Sequence, residues 1–208
     1  TTVTNFSSDL MGFDNLQAGA LRPWEGTGSY YEEPHLASFL GRVNYTYDDR
    51  YVLTVNARTD ASSKFGANHK WGFFPSVSAA WNVSSEQFMK QITWIDNLKL
   101  RLGYGLAGNQ GGIDSYTTMN LVRPNGVAPV GNSPVVTYET LRNINPDLKW
   151  EVKHTFNAGF DVGFYGNRLL LSVNYYNSKT TDMLYNYRVS VPPFTYNTLL
   201  ANIGSMRN

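Results

Sequence analysis

From Phe39 onward the chain alternates apolar and polar side chains with a period of two. Phe39, Gly41, Val43, Tyr45 and Tyr47 fall on one side; Leu40, Arg42, Asn44 and Thr46 fall on the other. After Asp48-Asp49-Arg50 the alternation returns, with Tyr51, Leu53, Val55, Ala57 and Thr59 opposed to Val52, Thr54, Asn56, Arg58 and Asp60. Period two marks a strand with two unlike faces, and the short break marks a hairpin. Beyond a polar loop, Trp71, Phe73, Val77, Ala79, Trp81 and Val83 continue the apolar side.

The same reading along the rest of the chain predicts strands over about 36–47, 51–60, 71–83, 98–108, 148–164 and 168–183, with a seventh starting near Tyr196. The apolar phase runs through Leu98, Leu100, Leu102, Tyr104 and Leu106, then Leu148, Trp150, Val152, His154, Phe156, Ala158, Phe160, Val162 and Phe164, then Leu169, Leu171, Val173 and Tyr175. These apolar faces carry no Lys, Arg, Asp or Glu, whereas the opposite faces hold Arg42, Arg58, Asp60, Lys99, Arg101, Lys149, Glu151, Lys153 and Asp161. His154 fits poorly and is placed near a rim or neutral. Pro75 cannot donate to a ladder and predicts a bulge. Residues 1–35 are weakly patterned and read as a strand end followed by a surface loop.

Connection lengths alternate. Asp48–Arg50, 84–97 and 166–167 are short or moderate; 61–70, 109–147 and 184–195 are long. Ser84-Ser-Glu-Gln87 has the form of a capping box and predicts one helical turn. In an up-and-down sheet alternate connections lie at opposite ends, and outer-membrane barrels pair short periplasmic turns with long extracellular loops. Tyr45, Tyr47, Tyr51, Trp81 and Phe164 cluster near the short-turn ends, where an interfacial girdle belongs. The fifth segment runs about 17 residues, against roughly 5–6 for globular strands. A charge facing lipid costs roughly 2–4 kcal/mol at mid-bilayer, which accounts for the uncharged faces. The expected fold is all-β, a partial antiparallel up-and-down transmembrane β-barrel. The rival is a soluble all-β carbohydrate-binding or adhesive module, which would bury the apolar faces in protein; an enzyme ranks third.

Composition narrows the function classes. The 208 residues contain no Cys, so no disulfide framework or thiolate metal site. A formal net charge of +1 offers no electrostatic case for nucleic acid. Charged residues are only 16% and aromatics 14%, which fits a β protein with one apolar and one polar face, the composition that alternating lipid-facing and lumen-facing residues give a transmembrane barrel. The chain opens in polar, strand-like Thr1-Thr2-Val3 without a signal peptide, and both ends read as cuts inside a longer chain.

Candidate chemistry is sparse. Gly103-Tyr-Gly105-Leu-Ala-Gly108 spells G-x-G-x-x-G, but a dinucleotide site needs a helix to start there, and loop-like sequence follows. His35, His69 and His154 lack metal spacing, and no nucleophile elbow exists. Glu151 and Asp161 lie ~33 Å apart on one strand at ~3.3 Å per residue, too far for a glycosidase pair; they read as ion-pair partners of Lys149 and Lys153. No catalytic, metal or cofactor residue is assigned. Arg42, Arg58, Lys99 and Arg101 are expected to line the lumen. Trp24, Tyr30, Tyr31, Phe65 and Tyr116 fall in outward loops, where aromatic rings can contact a solute or a partner lid, or pack within the loops.

Several ordered motifs resemble those of the SusC/RagA family of TonB-dependent outer-membrane transporters of Bacteroidota. They are Leu40-Gly-Arg-Val-Asn-Tyr45, Arg58-Thr-Asp-Ala-Ser-Ser-Lys-Phe-Gly66, Trp71-Gly-Phe-Phe-Pro-Ser-Val-Ser-Ala-Ala-Trp81 and Leu98-Lys-Leu-Arg-Leu-Gly-Tyr-Gly-Leu-Ala-Gly-Asn-Gln110. Asn145-Pro-Asp-Leu-Lys-Trp-Glu151, Thr180-Thr-Asp-Met-Leu184 and Asn202-Ile-Gly-Ser-Met206 add three more; residues 1–35 and 111–143 are not covered. The resemblance implies a multi-pass barrel of about 22 strands in the cell outer membrane. Residues 1–208 would be about seven of its strands, open as they stand, without plug, signal peptide or TonB box. It further implies active import of a large nutrient, an oligosaccharide or peptide. TonB would supply the energy through parts outside this segment, and a SusD-like surface lipoprotein would close the outer mouth. No bond chemistry is implied.

Overall fold

The structure, a computed structural model, describes residues 3–6, 8–11, 13–21 and 28–208. Its strands are β1 (Thr4–Phe6), β2 (Gly19–Leu21), β3 (Leu36–Tyr47), β4 (Tyr51–Ser62), β5 (Trp71–Asn82), β6 (Ile95–Asn109), β7 (Val122–Val130), β8 (Ser133–Thr140), β9 (Glu151–Phe164), β10 (Leu169–Arg188) and β11 (Thr198–Arg207). Seven form one antiparallel sheet in the order β11-β10-β9-β6-β5-β4-β3, while β1–β2 and β7–β8 make two small hairpin sheets. Each strand of the large sheet lies beside its neighbour in sequence, once the β7–β8 hairpin is set aside as part of the β6–β9 connection. That is up-and-down topology, and seven strands match the expected number.

Register confirms the two faces. Tyr47 pairs with Tyr51, Tyr51 with Trp81, Trp81 with Leu100, Leu100 with Phe160 and Phe160 with Val173. Directly opposed residues share a face, so the apolar phases of the separate segments join into one surface. That surface is open: Val43, Leu102 and Leu169 are 67%, 56% and 58% exposed. A soluble sandwich would bury these side chains, and among the described residues no second layer covers them.

The tight turns sit at one end. Asp48 and Asp49 both adopt φ of 50°, the left-handed region in which a short polar side chain is tolerated. Tyr165, Gly166 and Asn167 repeat this at the β9–β10 turn, with φ of 54°, 69° and 57°. The expected girdle forms beside these turns. Tyr51 stacks on Trp81 at 6.2 Å and Trp94 on Phe164 at 5.7 Å.

At the other end lies the main buried cluster, made of Phe65, Phe74, Ile113, Leu148 and Trp150. Its members come from the 61–70 connection, the 109–147 connection, β5 and the approach to β9. The long connections therefore meet at one end of the sheet.

Several expectations are corrected. Leu148 and Trp150 do not extend the apolar face; β9 starts at Glu151 and both side chains are buried in that cluster. The fifth strand is thus 14 residues rather than about 17. β10 continues to Arg188, so the last outward connection shortens to 189–197. Pro75 causes no bulge: Ala57 pairs with it in an unbroken β4–β5 register, and β5–β6 pairing runs only as far as Ser76, one residue away. The missing donor stands where the ladder ends. The capping box does not form; Val83–Ser85 and Gln87–Gln91 are 3-10 turns without side-chain caps. Glu86 is drawn instead to Tyr51, Trp81 and Arg50.

Candidate functional site

The face opposite the apolar surface is polar and organised in short hydrogen-bonded ladders. Arg42 Nε donates to Asn56 Oδ1 at 2.6 Å, and Asn56 Nδ2 donates to Ser76 Oγ at 2.9 Å. Arg58 Nε lies 2.8 Å from Asp60 Oδ2. Arg101 bridges strands, donating from Nη2 to Asp161 Oδ1 at 2.9 Å and Asn174 Oδ1 at 3.0 Å; Ser172 Oγ adds a 2.6 Å bond to the same carboxylate. Lys99 pairs in register with Asp161. Arg42, Arg58, Lys99 and Arg101 thus occupy one face, three of them with polar partners inside the wall itself.

Glycine makes room for the Arg101 ladder. Gly159 is opposite both Arg101 and Asn174. A Cβ there would stand 2.7 Å from Asn174 Oδ1 and 3.0 Å from the Val173 carbonyl oxygen. Shallow depressions open on the polar face. One of about 570 Å³ is lined by Thr54, Ser78, Arg101, Asn157, Asn174 and Tyr176 among others. The second, about 490 Å³, lies nearer the long connections, between Arg42, Arg58, Asp60, Gln110 and Trp150.

The loop-end cluster floors this second depression. The Phe65 and Trp150 rings are 4.5 Å apart, Phe74 meets Trp150 edge-on at 5.6 Å, and Trp150 Nε1 donates to the Lys70 carbonyl at 3.1 Å. Aromatic pairs in such geometries add to the gain from burial. The outward connections are further laced by asparagine. Asn202 Nδ2 donates to the carbonyls of Lys149 and Asp182, and Asn143 Nδ2 to those of Tyr196 and Thr198. Lys149 Nζ pairs with Asp182 at 2.8 Å. Glu151 does not pair with Lys149 or Lys153; it accepts from the Leu184 N–H and Asn109 Nδ2.

The five loop aromatics separate. Trp24 lies outside the described residues. Phe65 is 1% exposed and is a packing residue of the cluster, so no solute reaches it as it stands. Tyr30 is 84% exposed. The Tyr31 hydroxyl donates to Glu33 at 2.9 Å, and that carboxylate raises the phenol's pKa. Tyr116 takes φ of 60°, and its hydroxyl accepts the Glu33 N–H. Tyr30 and Tyr31 border an open depression of about 470 Å³ with Asp14, Gln17, Arg123 and Pro124. Arg123 and Gln17 were not singled out from sequence. Arg123 belongs to the β7–β8 hairpin, whose signal was present: Gly131-Asn132 joins Val130 to Ser133 with Gly131 at φ of 63°.

Among the described residues no group of three His, Asp or Glu could hold a metal ion. Gly103–Gly108 lies wholly inside extended β6, so no helix opens there for a dinucleotide phosphate. No described helix is long and apolar enough to cross a membrane, which says nothing of strands.

Comparison with known proteins agrees with this geometry. The family model described as TonB dependent receptor-like, beta-barrel, matches residues 2–208. The chain is 38% identical over 210 residues to TonB-dependent receptor P26 of Formosa agariphila, across 97% of this chain and 20% of that protein. It is 34% identical over 204 residues to TonB-dependent receptor SusC of Bacteroides thetaiotaomicron, across 88% of this chain and 20% of that one. Among solved structures, the RagAB peptide importer in its open-open state matches with a TM-score of 0.75 and 28% identity, over 88% of this chain and 20% of that one. Its closed-closed state matches with a TM-score of 0.71 and 31% identity, over 83% of this chain and 18% of that one. The chain spans about a fifth of the length of the curated relatives it matches. They are named as receptors and importers, not as enzymes.

Proposed function

We propose, from the premise that this chain belongs to the TonB-dependent receptor-like β-barrel family, that it is part of the wall of an outer-membrane importer of large nutrients. The observation that carries this reading is the uncovered apolar face, set between an aromatic girdle and a loop-rich end and backed by a polar face. Such a surface is at rest against hydrocarbon and exposes nothing that requires water. The polar face would line the lumen. The outward connections would form part of the mouth, where Tyr30, Tyr31 and Tyr116 offer contact to solute or partner.

The solute would be an oligosaccharide or peptide, the energy would arrive through TonB, and a SusD-like surface lipoprotein would act as lid. The SusC and RagAB likenesses support these choices by analogy. The work would be binding and passage, with no bond made or broken.

The test is made in the native host with the whole protein. Its gene is deleted, or its contact with TonB is abolished, and uptake of labelled oligosaccharides and peptides is followed. The expected result is loss of uptake of one solute class in both strains and co-purification of a surface lipoprotein. Unchanged uptake of both classes, or fractionation of the protein away from the outer membrane, overturns the reading.

A further inference from the structure

Two stretches outside the family motifs, within 1–35 and 111–143, meet at the outer end of the sheet. β3 begins there, with Leu36 paired to Ser62, and β7–β8 lies within the long outward connection. β2 packs beside β8, the Leu16–Ala18 turn packs beside β7, and the Tyr116 hydroxyl accepts the Glu33 N–H at 2.9 Å. Between them lies the open depression of about 470 Å³ bordered by Tyr30 and Tyr31. All of its lining comes from these two stretches, so none of the shared motifs contributes to it.

The protein holds the polar groups of this depression in place. Glu139 grips Arg123 through Nε and Nη2, both at 2.7 Å, and Asn125 Nδ2 donates to the other Glu139 oxygen at 2.7 Å. A guanidinium carries five N–H donors in a fixed fork, so donors remain for a ligand. Gln17 Oε1 accepts the Ser29 N–H at 3.2 Å, which fixes the amide and leaves its Nε2 to donate. Asp14 adds an acceptor. Beside them the Tyr30 and Tyr31 side chains are 84% and 61% exposed. Glu139 meets the charge of Arg123, so the depression carries no surplus of positive charge to select an anion.

A pyranose ring offers two surfaces to such a site. Its C–H groups form an apolar face that an aromatic ring can cover, and its rim of hydroxyls both donates and accepts, which suits immobilised amide, carboxylate and guanidinium groups. A peptide finds less here. Among the described strands β7 pairs with β8 alone, and a proline within a sheet turns its missing donor to the open edge. A peptide strand added beside Pro124 would lack a partner at that position. We propose that this depression is a subsite for a neutral oligosaccharide, with Tyr30 and Tyr31 against sugar rings and Asp14, Gln17 and Arg123 on the hydroxyls. The inference rests on the importer reading above and narrows its solute to one class, although the solved likenesses are of a peptide importer.

The whole protein, purified in detergent, is incubated with a mixture of neutral oligosaccharides released from starch and plant cell walls, and separately with tryptic peptides of the same mass range. Retained species are identified by mass spectrometry. Wild type is expected to retain oligosaccharides in clear excess over peptides. Tyr30→Ala/Tyr31→Ala should weaken that retention roughly tenfold, the loss of about 1.4 kcal/mol of ring contact. Tyr30→Phe/Tyr31→Phe should keep most of it, because the ring faces remain, and Asp14→Ala should weaken it less than the alanine pair does. Heat-modifiability on gels checks that every variant is a folded barrel; both rings are exposed, so truncating them opens no cavity. Retention of peptides in excess, retention of neither mixture, or oligosaccharide retention that the alanine pair leaves unchanged overturns the proposal. Peptide retention with TonB-dependent uptake intact overturns this inference alone, whereas a protein found outside the outer membrane overturns the importer reading beneath it.

Discussion

Tyr51 and Trp81 are opposed residues of β4 and β5 whose rings stack at 6.2 Å and 14°, and both donate to one carboxylate oxygen, Oε1 of Glu86: the hydroxyl at 2.8 Å, the indole N–H at 3.1 Å. Arg50 Nη1 approaches the other oxygen at 3.3 Å. The girdle and the neighbouring connection are thus tied by a residue inside the Ser84–Gln87 stretch that sequence alone reads as a capping box. Loss of the carboxylate frees two aromatic donors at once. Glu86→Ala should lower the temperature at which the barrel loses its folded, heat-resistant gel mobility, and Glu86→Gln should do so less.

The same site sets a pH dependence. The Tyr51 hydroxyl bond, then those of Trp81 and Arg50, hold the Glu86 carboxyl below its ordinary range. A carboxylate with a depressed folded pKa contributes stability that is fully present above the unfolded value of about 4.3 and is lost as pH falls through the folded one. Melting curves between about pH 7 and pH 3 should show wild type losing more than Glu86→Gln at the acidic end. Parallel curves for the two proteins would falsify this role for Glu86.

Leu102 and Gly103 are neighbours in β6 on opposite faces. Leu102 is 56% exposed on the apolar side, while a Cβ on Gly103 would meet nothing closer than Ser78 Cβ at 3.6 Å. Leu102→Arg puts a charge near mid-bilayer at a cost of about 2–4 kcal/mol; Gly103→Arg puts it on the polar face. Membrane fractions should contain markedly less folded Leu102→Arg than Gly103→Arg. Equal amounts would reverse the face assignment.

Gly159 is where Arg101 crosses toward Asp161 and Asn174. Gly159→Val drives two side-chain atoms and a backbone carbonyl apart, and the Val173 oxygen cannot retreat without opening the β9–β10 ladder. The expected outcome is reduced thermal stability, whereas Asn174→Ala, which deletes only one ladder partner, should be tolerated. The comparison of melting temperatures decides it.

Trp150 carries the loop-end cluster. Trp150→Ala should cost about 3–5 kcal/mol locally, the range for emptying a large buried aromatic site. Because the cluster sits beyond the bilayer band, the strands should remain assembled while the outward connections become open to protease. Brief proteolysis of intact cells reads this: faster cutting in the variant, with heat-modifiability retained. Unchanged cutting would show that the loops hold without it.

Much of the sheet is legible residue by residue because period-two alternation is local backbone geometry. Phe39 to Tyr47, Tyr51 to Thr59 and Leu98 to Leu106 need no partner to reveal which side is which. Failures occur where a partner distant in sequence decides. Glu86 is recruited by Tyr51 and Trp81; Leu148 and Trp150 keep the phase of the strand but leave it for Phe65 and Phe74. The β7–β8 hairpin was hidden by its place inside a long connection, although Gly131-Asn132 announces its turn.

The order of residues determined that this chain has two unlike faces, that its turns are tight at one end and loose at the other, and that the uncharged face suits hydrocarbon. Those properties follow from alternation and from the cost of charge in lipid, which act position by position. Only the assembled sheet decided that Phe65 is packed away while Tyr30 is open, and that Arg101 finds Asp161. Such outcomes depend on register between strands, which brings together residues far apart in the chain.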